Sequence, residues 1–116
     1  MAVVQHTTLP IVGDTMRVTW AGLATGDTGS LLVAPEHLFK EVQVLGTFGG
    51  STVTIEGSLD GGTTFATLND INGTILSFTT ARLERVQESV ATVRPSVAGG
   101  AAVSVTVVMV IKLETR

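Results

Sequence analysis

The clearest pattern in the chain is the alternation of apolar and polar residues around a glycine turn. In the segment 51–68, Val53 and Ile55 alternate with threonines and a glutamate, which is the period of a strand with one buried face. The Gly-Gly pair after Asp60 supplies the positive φ angles of a tight turn, and a second short apolar run follows. The segment is predicted to be a β-hairpin.

The same period predicts strands near both ends of the chain. A stripe that includes Val18 and Trp20 alternates with polar residues, and Trp20 is expected in the core. Residues 103–113 carry an unbroken apolar stripe, and Val108 and Val110 make the other face of this strand apolar as well. We expect the last strand in a sheet interior or against a partner subunit.

Two segments leave the element type open. After a short strand at 31–34, Pro35 begins a connector that is compatible with one helical turn. Within residues 80–89, Leu83 and Val86 have helical spacing with charged residues between them, and a single helical turn is favoured over a strand.

Seven or eight short strands separated by glycine turns predict an all-β protein, an antiparallel β-sandwich or jelly roll with at most one short helical turn. A strand over residues 90–97 contains Pro95, which argues for an edge or an irregular position. The length of 116 residues suits one domain. We expect an extended N-terminal arm over residues 1–14 and a single sandwich domain over residues 15–116.

Composition narrows the possible functions. The net charge of -3 and the pI of about 5.2 argue against nucleic acid as a partner. Charged residues are only 15% and mean hydropathy is +0.45, yet no apolar run approaches the ~18 residues of a membrane helix. The extra apolar surface is therefore expected to contact protein. The chain has no Cys, which excludes disulfides and thiolate metal sites, and no signal peptide is expected.

No residues form a recognisable catalytic or metal-binding pattern. His6 and His37 lack nearby ligands, and a structural or solvated role is favoured for both. No Gly-x-Ser-x-Gly motif or phosphate-binding loop occurs. Asp60 and Asp70 lie in turn sequences, where their side chains favour the backbone over calcium. We predict no catalytic, cofactor-binding or metal residues and therefore no enzyme.

One family resemblance can be recognised. The run 51–68, the segment 93–100 and the valine-rich strand after it resemble small tailed-phage head decoration, or capsid cement, proteins, over roughly residues 40–113. The resemblance implies a β-sandwich or jelly roll that forms small oligomers on the outer capsid surface and bridges major capsid subunits.

The hairpin is also similar to discoidin-like, galactose-binding modules, which implies an alternative function on a phage head fibre or tail. The loops at residues 22–30 and 60–64 would then form the sugar site. Sugar sites usually stack an aromatic ring on the pyranose, and this chain has no Tyr, one Trp and four Phe. An interface protein needs apolar surface beyond its own core, which this composition offers. The decoration function is therefore favoured.

We thus expect a structural protein of the virion, located on the capsid surface and assembled in the host cytoplasm. Its expected partners are the major capsid protein and further copies of itself, with a trimer favoured over a dimer, and neither nucleic acid nor membrane. The candidate interface residues are apolar groups in excess of the core and two arginines of a polar rim, namely Val3, Val4, Leu9, Ile11, Val108, Val110, Arg82 and Arg85.

Overall fold

Two β-sheets face each other in this protein, in a computed structural model that describes residues 2–11, 15–34, 39–88 and 90–112. These ranges contain no helix that is long and apolar enough to cross a membrane. Their strands are β1 (Val3–Val4), β2 (Thr7–Pro10), β3 (Thr15–Leu23), β4 (Thr28–Gly29), β5 (Leu32–Val33), β6 (Phe39–Thr47), β7 (Thr52–Ser58), β8 (Ala66–Thr67), β9 (Ser77–Phe78), β10 (Arg82–Arg85), β11 (Thr92–Ala98) and β12 (Ser104–Lys112).

The strand order confirms the predicted antiparallel β-sandwich. One sheet has the order β1-β4-β11-β7-β8, with β5 also beside β11 and β9 beside β7, and the other has the order β10-β6-β12-β3-β2. Every strand pair is antiparallel except β1 with β4. The described residues contain more strands than the seven or eight predicted, because five of the strands are two-residue pieces that pair beside longer ones.

The core lies between the sheets and follows the alternation in the sequence. Val53 and Ile55 of the predicted hairpin are fully buried, as is the predicted core residue Trp20. The Trp20 indole Nε1–H donates a hydrogen bond to the carbonyl of Ser30 at 3.0 Å, so its one polar group is satisfied inside the core. The apolar stripe of the last strand is buried as well, through Val103, Val105, Val107, Met109 and Ile111.

The segment predicted as an N-terminal arm is extended, and its described part contributes one strand to each sheet. β1 runs parallel to β4, and β2 pairs with β3. His6 lies where the chain crosses between the sheets. Its backbone N–H donates to the Ser30 hydroxyl at 3.0 Å, and its ring Nδ1 lies 2.7 Å from the same oxygen. His6 therefore helps to hold the crossing in place.

The prediction of a helical turn within residues 80–89 is wrong, because this segment contains strand β10. The residues from Arg82 to Arg85 pair antiparallel with β6, whose edge supplies the backbone partners that a short isolated helix would lack. Leu83 is 58% exposed whereas Val86 is buried, so the helical spacing does not mark a common buried face. Residues 35–38, where the other helical turn is predicted, lie outside the described residues.

Pro95 occupies an irregular position within a central strand. β11 has β7 on one side and the separate short strands β4 and β5 on the other. Val97 donates its N–H to Asp27 on the side of the short strands. Because N–H groups two residues apart point the same way, Pro95 lacks its donor at the break between them. Gly29 packs there, and an added Cβ would lie 2.5 Å from both Pro95 and Trp20.

The core also contains one cationic side chain. Lys40, at the start of β6, is fully buried beside Ile111 of β12, and its Nζ has no hydrogen-bond partner among the described residues. Burial lowers the pKa of the Lys40 amine, because removal from water disfavours the ammonium form. At every pH at which the amine is protonated in the unfolded chain, its burial therefore lowers the free energy of unfolding.

We expect Lys40→Met to raise the free energy of unfolding at neutral pH by about 1–4 kcal/mol, the gain found when buried ion pairs are replaced by apolar residues of similar volume. The wild-type protein itself should gain stability as the pH rises from the lowered pKa towards the ordinary value of 10.5, because the unfolded chain then holds more protons. Urea titrations at several pH values measure both effects.

Lys112 is the matched control, since it is exposed at the end of β12. Lys112→Met should change stability by less than about 0.5 kcal/mol. If Lys40→Met lowers stability instead, the amine makes a polar contact that methionine cannot replace.

Candidate functional site

The broadest candidate surface is the side of the five-stranded sheet that faces away from the core. Because side chains alternate along a strand, the buried residues of this sheet identify the outward ones between them. We call this surface the outer face. Its described members are Thr7, Leu9, Ile11, Thr15, Arg17, Thr19, Phe39, Glu41, Gln43, Leu45, Leu83, Arg85, Thr106, Val108, Val110 and Lys112.

Strand register arranges these side chains in rows, because residues paired across neighbouring strands share a face. One row runs through Leu83, Gln43, Val108, Thr19 and Thr7, in order across the five strands. The next row runs through Arg85, Glu41, Val110, Arg17 and Leu9. The two central valines are therefore flanked by polar residues, with further apolar residues towards both edges of the sheet.

The outer face leaves sizeable apolar groups in solvent. Leu83 is 58% exposed, Leu9 51% and Ile11 48%. Four strand spacings of about 4.8 Å and six residue steps of about 3.4 Å give the face a plan area of roughly 400 Å². This area includes the polar members of the face, so its exposed apolar part lies within the few hundred Å² that single chains commonly expose, and such patches are often functional.

The structure brings together five of the eight candidate interface residues. Leu9, Ile11, Val108, Val110 and Arg85 all belong to the outer face. Alternation predicted the strand of Val108 and Val110, whereas pairing with β3 and β6 places Leu9 and Arg85 on the same side of the sheet.

The other three candidate interface residues lie elsewhere. Val3 and Val4 form β1 of the opposite sheet, where Val3 is 60% exposed and Val4 packs partly against the core. Arg82 is paired with Val44, whose side chain is buried in the core, so it points to the other side of β10 from Arg85. Its guanidinium lies 4.9 Å from the centre of the Phe78 ring.

Sequence reasoning missed Leu83, Arg17 and Lys112 as members of this surface. The helical interpretation of residues 80–89 concealed the fact that Leu83 and Arg85 are two apart and share a strand face. Arg17 and Lys112 were detectable, since each alternates with buried apolar neighbours. What was not detectable was that these strands are adjacent.

The two loops of the predicted sugar site approach each other where Leu31, which follows the first loop, packs against Gly62 of the second. Thr25 in the first loop donates its hydroxyl to the carbonyl of Gly99 at 2.8 Å, near the Ala98 end of β11. The second loop follows Ser58, which pairs with Thr92 at the other end of β11. Six residue steps along β7 separate these ends by about 20 Å. The Thr25 end of the first loop therefore lies far from the second loop.

The acidic residue in each loop is used by the loop itself. Asp27 accepts hydrogen bonds from the backbone N–H groups of Ala2 and Ala24 at 3.0 and 2.9 Å. Asp60 accepts from the backbone of Thr64 at 2.9 Å, from the Ser58 hydroxyl at 2.7 Å and from the backbone of Thr63 at 3.1 Å. These bonds, led by that of Thr64, hold the pKa of Asp60 well below its ordinary value. The interpretation of Asp60 as a turn residue agrees with this geometry, and Asp70 likewise accepts from the backbone N–H groups of Asn72 and Thr74 at 2.8 and 3.0 Å.

A separate cleft of about 460 Å³ lies at the edge where β2 faces β5. Its lining is mostly apolar, with Met16, Leu32 and Ile111 among the contributors, and His6 is one of its few polar groups. The His6 ring is already bonded to Ser30. Among the described residues, no three His, Cys, Asp or Glu side chains cluster as metal ligands would.

Comparison with solved structures places the fold among known proteins. The SPBc2 prophage-derived protein YomS is similar with a TM-score of 0.65 at 11% identity, over 89% of this chain and 98% of that chain. Protein NMB1881 from Neisseria meningitidis gives a TM-score of 0.45 at 12% identity, over 97% and 85% of the two chains. No family model and no curated protein matches the sequence. The likeness to YomS shows a shared fold.

We expect Asp60→Ala to loosen the hairpin loop without unfolding the sheet, because the amides of Thr63 and Thr64 lose their acceptor. Hydrogen exchange at these two amides should become faster, while exchange in the β7–β11 pairing stays unchanged. In the wild-type protein, the protection should persist below pH 3.8, the ordinary value for Asp, and fall only as the pH passes the lowered pKa.

Asp60→Asn is the informative comparison, since the amide oxygen keeps one acceptor and no charge. It should retain part of the protection. Equal exchange in the wild type and both variants would show that the carboxylate does not order this loop.

Proposed function

We propose that this protein is a noncatalytic structural component of a phage virion that binds the outer surface of the head through its outer face. It would stabilise contacts between major capsid subunits after assembly in the host cytoplasm. The observation that carries the proposal is the exposure of Leu9, Ile11 and Leu83 around the partly exposed valines of β12. Burying such apolar area on a partner yields about 25 cal/mol per Å² before the costs of association.

The family resemblance and the fold support the same proposal. The hairpin over residues 51–68, whose sequence resembles phage decoration proteins, forms strands β7 and β8 with Val53 and Ile55 in the core. YomS, which shares the fold, derives from a prophage. A phage origin is compatible with both observations.

Small contact area favours binding through several copies. A face of roughly 400 Å² is about half of the ~800 Å² that each partner buries in a standard stable complex. Linking copies multiplies such weak contacts, because later contacts form within one assembly. The proposal therefore includes a homo-oligomer, with a trimer favoured, that engages repeated capsid subunits.

We expect Leu83→Asp and Leu9→Asp each to lower binding to phage heads by about tenfold or more, because a carboxylate would be desolvated in an apolar contact. The measurement uses heads purified from a phage that lacks this protein, incubated with the recombinant chain and sedimented to determine occupancy.

Leu59→Asp provides the matched control. Leu59 is 89% exposed at the hairpin loop, outside the outer face, so the same substitution there should leave occupancy unchanged. Melting temperatures must agree among the three variants. A wild-type chain that does not bind the heads at all would exclude the proposed function.

Self-association is expected to be visible without heads. Size-exclusion chromatography with light scattering should give three times the chain mass of 12.0 kDa. A stable monomer at high concentration would contradict preassembly and would leave only association on the head surface.

A further inference from the structure

The charge of the outer face is opposite to that of the other described residues. On this face, Arg17, Arg85 and Lys112 face one carboxylate, Glu41, which leaves a formal charge of +2. The described residues off the outer face have three cationic side chains and six carboxylates, which leaves -3. Within the described part of the chain, the outer face is therefore the cationic side.

Arg17, Arg85 and Lys112 make no ion pair with any described residue. Arg82 and Arg94, which lie off the outer face, are instead paired with Glu84 at 2.9 Å and Glu56 at 3.0 Å. As far as the described residues are concerned, the cations of the outer face are thus available to a partner.

Arg85 shows how such a cation coexists with an apolar surface. Its guanidinium lies 4.3 Å from the centre of the Phe39 ring, which is also on the outer face. Stacking covers one side of the planar guanidinium and leaves the N–H groups around its edge free to donate. A carboxylate that approaches from the partner would find a planar, prepositioned donor group.

A second copy of this chain does not suit this surface. Two outer faces brought together would oppose +2 with +2, and like charges at an interface are unfavourable. The plan area of roughly 400 Å² is also small for a stable dimer, which buries about 800 Å² on each partner.

We infer that the outer face binds a protein patch in which apolar groups are interspersed with carboxylates. This inference rests on the proposed function and specifies the chemistry of the capsid surface that the protein recognises. The exposed leucines and central valines supply the apolar contact, and Arg17 and Arg85 orient it. The described residues off this face, which carry a net negative charge, then lie away from the contact.

The sharpest test compares two arginines of one strand. Arg85→Gln and Arg82→Gln remove the same charge from β10, and each arginine stacks on a phenylalanine, but the two side chains lie on opposite sides of the strand. Binding to purified heads that lack this protein should weaken about tenfold for Arg85→Gln and remain unchanged for Arg82→Gln. Arg17→Gln should behave like Arg85→Gln.

Salt dependence of the wild-type protein tests the inference without any variant. Raising NaCl from about 0.05 to about 0.5 M shortens the screening length severalfold and should weaken head binding. The Arg17→Gln/Arg85→Gln double variant should show a smaller salt effect. If the wild type binds heads but neither salt nor Arg85→Gln matters, the electrostatic inference fails while the proposed function stands.

If the outer face binds something other than the capsid protein, these experiments give different results. If Arg85→Gln changes the oligomer mass in light scattering but not head binding, the outer face joins copies of this chain and the inference is overturned. If a fluorescent DNA duplex binds the wild type and releases on Arg85→Gln, the partner is nucleic acid. A wild-type chain that does not bind heads removes the proposed function and this inference together.

Discussion

The register of β12 between β6 and β3 is the constraint on which both the core and the outer face depend. Nine consecutive residues of β12 pair with β6, and most of the same residues pair with β3. Because side chains alternate, a slip by one residue would place Val108 and Val110 in the core and Val107 and Met109 in solvent. The sandwich and its contact surface are therefore specified by the same pairing.

The side chains that could contact a partner lie on the outer face of a sheet rather than in the loops. The carboxylates of Asp27 and Asp60 accept hydrogen bonds from backbone N–H groups, and these bonds order the loops that contain the two residues. On the outer face, in contrast, Arg17 and Arg85 make no ion pair with a described residue, and Leu9 and Leu83 are more than half exposed. A flat surface of this type suits recognition of another broad protein surface, which agrees with a structural role.

Individual elements show how far sequence patterns reach. The buried pattern of Val53 and Ile55, the core position of Trp20 and the stripe of the last strand follow from alternation, because burial on one side of a sheet imposes a period of two. The helical prediction for residues 80–89 was wrong because a short edge strand with one exposed leucine shows no clear alternation of apolar and polar residues. The burial of Lys40 could not be predicted either, since lysine side chains are almost always exposed to solvent.

Alternation and glycine turns were sufficient to establish an all-β sandwich and to identify most strands, because these signals are local. The partners of each strand were decided by tertiary contacts. Leu9 and Leu83 lie 74 positions apart in the sequence, yet they border one surface because β2 and β10 occupy opposite edges of the same sheet. The separation of Arg82 from Arg85 arose in the same way, since pairing with β6 determines which side of the strand each residue occupies.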